Sequence, residues 1–545
     1  QHRVARNVSD SFAQRRDPDS VSRSNIMILR CLEALGLSRL VRVVVARVGR
    51  LLGRDPTRIK RRRFPDGFLW GTATASYQVE GATSTDGRTP STWDVFCAAP
   101  GKIFNGDSGK DACKFYHKYP QDIALAARAG GRNPSFRFSI SWSRVIPEKG
   151  KINQQGLDFY SSVVDEAIRA GVTPVVTLFH WDTPQWCQEE YGGWKSPHII
   201  EDFMEFAEAV FSTLAHRVPY WITLNEPWIT ANFGYGTGTF APGEKDTDGR
   251  KSYLVAHHQL LAHAAACQLF RAKYNPEEDS QIGIALNCLY HAPANPRSAS
   301  DKEAAQRGNE FELGWFADPL YFGDYPKVMR ERAGRRMPVF SADDKKLLKA
   351  GRPDFFALNH YTSRLCSNAP GFPLSSKPGE PPSYFSDAGV AVKDVWMAAK
   401  ADPEWLHMVP WGLRDVLVWI HDRYGAPKIM ITENGCACPN ESNWQQSSQA
   451  NDVFRQKQIL SYINATWEAI NVYGVDVIGY TYWSLLDNFE WADGYKYRFG
   501  LVHVDYDTPG KVRQLKDSFK LYQEISDSNS VAVAPVHGPA PYWPR

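Results

Sequence analysis

Eight short runs rich in β-branched and aromatic residues punctuate the chain, at 68–77, 136–142, 174–181, 221–226, 282–288, 355–361, 429–433 and 477–483, and each ends on polar or aromatic residues. Runs of this length and make-up predict strands. Between them, 156–170, 199–215 and 252–274 repeat their apolar residues at the 3.6-residue spacing of an amphipathic helix. The β and α patterns alternate throughout, without a Pro/Gly/Ser linker. Eight such units predict one α/β domain, a single (β/α)8 TIM barrel with long βα loops, rather than two doubly wound domains.

In such a barrel the carboxyl ends of the strands converge on one mouth. Those ends carry Gln78, Arg137, His180, Asn225, Glu226, Tyr361 and Glu433, and the run 483–491 adds Trp483, Glu490 and Trp491. Glu226 follows the fourth strand and Glu433 the seventh, across the barrel from each other. Two carboxyls facing across a pocket suit glycosidic cleavage, in which one protonates the departing oxygen and the other attacks or supports the anomeric carbon. Structural salt bridges are the competing explanation for such a pair. Arg137 and Tyr361 are candidates to hold one glutamate ionised, leaving the other protonated by desolvation and by repulsion from the first.

Charge changes the picture at one end. The 545 residues carry 63 Lys+Arg against 60 Asp+Glu, a near balance that argues against a dedicated nucleic-acid binder, and 43% hydrophobic content argues against disorder. Residues 1–63, however, hold 16 Lys/Arg and 5 Asp/Glu, so a basic head precedes a mildly acidic body. Within it, 39–54 reads as an Arg-rich amphipathic helix, too charged to span a membrane. It is a transit segment, an interfacial membrane contact, or an accessory or spurious upstream extension. The expected division is a head at 1–63, the barrel at 64–526 and a tail at 527–545. The 18 Trp suit either sugar stacking or a large core. The nine Cys form no framework, and Cys436 and Cys438 alone are a weak metal signal. Sequons stand at Asn7, Asn440 and Asn464. They leave the compartment open, with organellar or cytoplasmic placement slightly favoured over secretion.

Seven motifs, in order and at matching spacing, resemble glycoside hydrolase family 1, the β-glucosidase and β-galactosidase group, from Phe64 to about Ile525. They are Phe-Leu-Trp-Gly-Thr-Ala-Thr-Ala-Ser-Tyr-Gln78, Arg137-Phe-Ser-Ile-Ser-Trp-Ser-Arg144, Leu-Phe-His180-Trp-Asp, Thr-Leu-Asn225-Glu226-Pro, Leu-Asn359-His-Tyr361, Ile-Thr-Glu433-Asn-Gly and Trp483-Ser-Leu-Leu-Asp-Asn-Phe-Glu490-Trp491. The resemblance implies a retaining β-glycosidase acting by double displacement on small-molecule β-glycosides, with Glu226 as acid/base and Glu433 as nucleophile. It implies that Arg137 and Tyr361 support Glu433, that Asn225 holds the sugar 2-hydroxyl, and that Gln78, His180, Glu490 and Trp491 bind the other hydroxyls over a Trp483 platform. No metal or organic cofactor is implied.

Subtypes separate on single residues. Thioglucosidases of the family carry Gln in place of the acid/base Glu, and phospho-glycosidases lack the Glu-Trp of the last motif. Glu226 and Glu490 therefore point to unphosphorylated O-glucosides, with galactosides and fucosides also open. A transglucosidase on the same site and a non-catalytic sugar-binding relative are the alternative functions. Residues 130–136 run about two longer than the family pattern, which leaves the register of the second strand, and with it Arg137, to be read from the structure. Trp228, Trp315, Trp405 and the loop 366–398 are expected to shape the aglycone side.

Overall fold

The computed structural model describes residues 60–534 and 536, apart from 278, 370–381 and 444–449. The proposed helix at 39–54, Cys31 and the Asn7 sequon lie outside the described residues. Strands β1 (Leu69–Ala73), β2 (Pro134–Ser139), β3 (Thr173–Phe179), β4 (Tyr220–Asn225), β5 (Gln281–Asn287), β6 (Phe356–Asn359), β7 (Ile429–Asn434) and β8 (Val477–Tyr482) pair in parallel, each with the next, and β8 with β1 closes the barrel. Each is followed by a main helix: α1 (Phe115–Gly130), α2 (Gln154–Arg169), α3 (His198–Leu214), α4 (Lys251–Leu269), α5 (Ala342–Ala350), α6 (Pro410–Tyr424), α7 (Val453–Tyr473) and α8 (Asp517–Ser528). This is the (β/α)8 barrel that the alternation predicts.

The sequence pattern explains both layers. On α2 the buried residues Leu157, Phe159, Tyr160, Val163, Val164 and Ala167 recur at the spacing of one helix face, which packs on the strands. Inside the barrel Leu69, Val175, Ile222, Ala285, Ala357 and Met430 pack into one apolar plug with Phe355. Their neighbours one residue away, such as Val176 and Trp221, join the larger core shared with the helices, as the two-residue alternation of a strand requires.

Apart from β7, which runs one residue further, the strands end short of the expected runs. The first strand stops at Ala73, so Gln78 stands on the short helix Ser76–Val79 instead of a strand end. The second stops at Ser139, and its register pairs Arg137 with Ala73 and Val175 despite the longer approach.

The compact unit that carries the barrel begins at Arg62, so Arg62 and Arg63, assigned above to the head, belong with the body. The physical reason is local. The Arg62 guanidinium donates to Asn464 Oδ1 at 2.9 Å, pairs with Glu468 at 3.3 Å and lies over the Trp467 ring. That same Asn464, fully buried, also donates to the backbone oxygens of Leu460 and Ala532, which leaves its sequon closed to glycosylation. Among the described residues no helix is long and apolar enough to cross a membrane.

Candidate active site

The two glutamates stand just past irregularities in strand pairing. Register breaks between Ile222 and Asn225 on the β4–β5 pair, and between Ile431 and Glu433 on the β6–β7 pair. Such breaks re-aim side chains, and here they direct both carboxyls into one mouth. Glu226, Trp181 and Trp491 hold left-handed backbone conformations, with φ of 44°, 75° and 51°. Strain of this kind persists where the surrounding structure over-determines it, and functional sites are where it collects.

Glu433 is held on both oxygens. Arg137 Nη1 forms a buried ion pair with Oε1, and the Tyr361 hydroxyl donates to Oε2 at 2.7 Å. Burial, and then the charge of Glu433, hold the Tyr361 hydroxyl well above its usual range, so it keeps the proton that it donates. Arg137 is itself fixed by Thr177 Oγ1 at 3.1 Å and the Thr432 carbonyl at 3.2 Å. Both partners suit an anionic Glu433.

Glu226 has a different environment. Its Oε1 accepts from Asn359 Nδ2 at 2.8 Å, and among the described residues no cation is paired with it. Burial first, and then the charge of Glu433, push its carboxyl up to about 8, against the opposing effects of Asn359 and Arg137. The two carboxyls, identical in chemistry, thereby stand in different surroundings, and those of Glu226 favour its protonated form.

A chain of side-chain hydrogen bonds joins them. Arg137 Nη2 donates to Asn225 Oδ1 at 2.6 Å, and Asn359 Nδ2 donates to the same oxygen at 3.0 Å. With Oδ1 accepting twice, the Asn225 amide nitrogen is the donor to His180 Nε2 at 3.0 Å, which puts the imidazole proton on Nδ1. Burial and the charge of Arg137 keep His180 well below its usual range, hence neutral. Asn359 is the member that strand-end reading passed over. Asn359 is the last residue of β6, two before Tyr361, while His360 between them bonds the Cys288 carbonyl, so carrying the period of two back from Tyr361 could have found it.

A cavity of about 340 Å³ opens over these groups, lined by His180, Asn225, Glu226, Tyr361, Glu433, Trp483, Glu490 and Trp491. The His180 ring lies nearly parallel to Trp483 and to Trp491, with centroids 5.8 and 5.9 Å away. Gln78 is bonded to the two residues just before Glu490. Its Nε2 donates to the Phe489 carbonyl at 2.7 Å and to Asn488 Oδ1 at 3.0 Å. Three buried polar atoms around the cavity have no partner among the described residues: Gln78 Oε1, His180 Nδ1 and Glu490 Oε2. Burial, followed by Asp493, Glu433 and Glu226, raises Glu490 well above the usual carboxylate range.

Trp228 and Trp405 line the outer cavity as expected, joined by Trp181, Phe233 and Phe240. Trp315 does not. It is fully buried and stacks on Tyr384 at 4.9 Å, behind the wall that Trp228 forms, because its turn packs into the core of the α4 side. Of the loop 366–398, residues 370–381 lie outside the described residues, and none of the others lines the cavity. Among the described residues no group of three or more His, Cys, Asp or Glu is placed to hold a metal ion.

The family model for Glycosyl hydrolase family 1 matches residues 60–531. β-Glucosidase 4 of Oryza sativa subsp. japonica is 41% identical over 461 residues, spanning 83% of this chain and 93% of the relative. A β-glucosidase from the fungus Humicola insolens, solved in complex with glucose, superposes with a TM-score of 0.81 at 40% identity, covering 86% of this chain and 99% of that one. A mutant rice β-glucosidase, solved in a covalent complex with Glc, superposes with a TM-score of 0.80 at 38% identity, covering 84% and 98%.

Proposed function

The chain belongs to glycosyl hydrolase family 1, and from that premise we propose that Glu226 and Glu433 are the acid/base and the nucleophile with which it hydrolyses unphosphorylated β-D-glucosides. Membership makes it a retaining β-glycosidase acting on small-molecule glycosides. One observation carries the assignment of roles: Glu433 has a cation and a hydroxyl on its two oxygens, whereas Glu226 is buried with a neutral amide and rises to about 8.

Glu433 attacks the anomeric carbon while Glu226 delivers its proton to the leaving oxygen, so that the aglycone departs neutral and a glycosyl ester remains on Glu433. Glu226, now ionised, then takes a proton from water as the water attacks the same carbon and releases Glu433. Arg137 and Tyr361 orient Glu433 and keep its charge. Asn225, held between Arg137 and His180, is the group assigned to the 2-hydroxyl. The unpartnered atoms of Gln78, His180 and Glu490 supply polar contacts for the remaining hydroxyls, with Glu490 facing the sugar over Trp483 and Trp491. A neutral sugar suits a buried carboxyl there, whereas a 6-phosphate would meet Glu490 and Asp493 together.

The test is hydrolysis of a chromogenic β-glucoside with product anomers followed by NMR. The expected first product is the β anomer, with Glu433→Ala inactive. An α product, or an unchanged rate in Glu433→Ala, contradicts the assignment.

A further inference from the structure

One carboxyl of the cavity takes no part in this chemistry. Glu312, on the helical turn Glu310–Gly314, is 4% exposed and lines the cavity beside Cys288 and Leu289. Its Oε1 accepts from the Leu289 backbone N–H at 2.8 Å and from Asn287 Nδ2 at 3.4 Å. Its Oε2 has no hydrogen-bond partner among the described residues. The His291 Nδ1 atom stands 3.7 Å away, and burial brings that imidazole down to about 4, so it is no cation at neutral pH. Arg364 exerts a field on Glu312, but its guanidinium pairs with Asp394 at 3.4 Å and donates to the Trp405 carbonyl. A buried carboxyl left without a direct cationic partner is costly, and a ligand that brings a cation removes the cost.

The surroundings favour the same ligand. No Lys or Arg is among the described residues lining the cavity, while Glu226, Glu433, Glu490 and Asp493 join Glu312 there. The outer wall is made of Trp181, Trp228, Phe233, Phe240 and Trp405, whose faces attract apolar cations. The leaving group departs on the side of its proton donor. Glu312 is on that side: Asn287 and Leu289, which donate to it, closely follow Ala285, whose carbonyl accepts from the Glu226 backbone N–H at 2.8 Å.

We propose that Glu312 is a specificity-determining residue for the leaving group, pairing with a cationic nitrogen on a flat apolar aglycone, so that glycosides of ammonium-bearing aglycones are preferred over neutral ones of the same shape. This deepens the hydrolytic reading above and rests on it.

Two substrates test it: 4-(trimethylammoniomethyl)phenyl β-D-glucoside and its uncharged isostere 4-neopentylphenyl β-D-glucoside. The readout is the ratio of their kcat/KM values. In Glu312→Gln, which keeps an acceptor for Leu289, the ratio is expected to fall by about tenfold, and Glu312→Asp is expected to restore part of it. A merely structural role would lower both substrates together and leave the ratio unchanged. A second measurement needs no variant. Burial raises Glu312 to about 7, so the ratio for the unaltered enzyme should climb between pH 6 and 8, where the quaternary nitrogen stays charged and Glu226 affects both substrates alike. Glu433, Glu490 and Asp493 face the same cavity, and the part of the climb that belongs to Glu312 is the part that Glu312→Gln removes. A ratio within twofold of the unaltered enzyme in Glu312→Gln, or a flat ratio across pH 6–8, overturns the proposal. Failure of the unaltered enzyme to cleave either substrate overturns the hydrolytic reading instead, and the proposal with it.

Discussion

Glu226 and Glu433 bear the same functional group, and what distinguishes them is the company each keeps. Arg137 and Tyr361 occupy both oxygens of Glu433, while Glu226 has one amide contact and faces the charge of Glu433. Because the proposed role of Glu226 requires it to be protonated and its pKa is about 8, kcat/KM for a substrate with a poor leaving group should fall as pH rises through about 8. Glu226→Gln should remove that alkaline limb and lower the rate by roughly 10²–10⁴-fold. The loss should be much smaller for a dinitrophenyl glucoside, whose leaving group needs no proton. A retained limb in the variant would assign the titration to another group.

At the scale of elements, the alternation of strand and helix was legible because burial on a barrel imposes both periods on the chain. The ends were less so. The first strand stops at Ala73 and the chain turns into Ser76–Val79, a break fixed by tertiary bonds such as Ser76 N to Ser139 Oγ at 2.7 Å, which no local pattern announces. Trp315, the first residue of the helix Trp315–Phe322, is misplaced for a related reason: an indole between two strands reads alike whether it faces a cavity or, as here, Tyr384. Glu312 was invisible as a site residue, since a lone acid on a turn carries no signal until the fold brings Leu289 and Glu226 to it. One element junction is tight enough to test. A Cβ at Gly435, directly after β7, would lie 1.8 Å from the Trp483 carbonyl oxygen. Gly435→Ala should therefore displace the Trp483 platform, raising KM for glucosides and costing about 1–3 kcal/mol of stability by denaturant unfolding.

For the whole molecule, buried carboxyls, in the site and beyond it, are tolerated by the barrel at some expense to stability. Burial raises Asp182, Glu312 and Asp415 to about 7 and Glu226 to about 8. A carboxyl raised on folding contributes stability that is complete below its unfolded value and is lost as pH rises through its folded value. The buried histidines, half titrated in the unfolded chain at about pH 6.5, oppose the trend with a contribution that fades by about pH 7.5 and is smaller than the loss from the four carboxyls. The melting temperature should thus decline from pH 6.5 to 8, and a rise over that interval by calorimetry would contradict the burial of these groups. The central claim, that Glu433 attacks and Glu226 assists, is tested most directly by trapping. Incubation with a 2-deoxy-2-fluoro β-glucosyl fluoride, followed by peptide mass spectrometry, should find one fluoroglucosyl group esterified to Glu433. A label on any other residue, or no covalent label while the reagent is turned over, would contradict it.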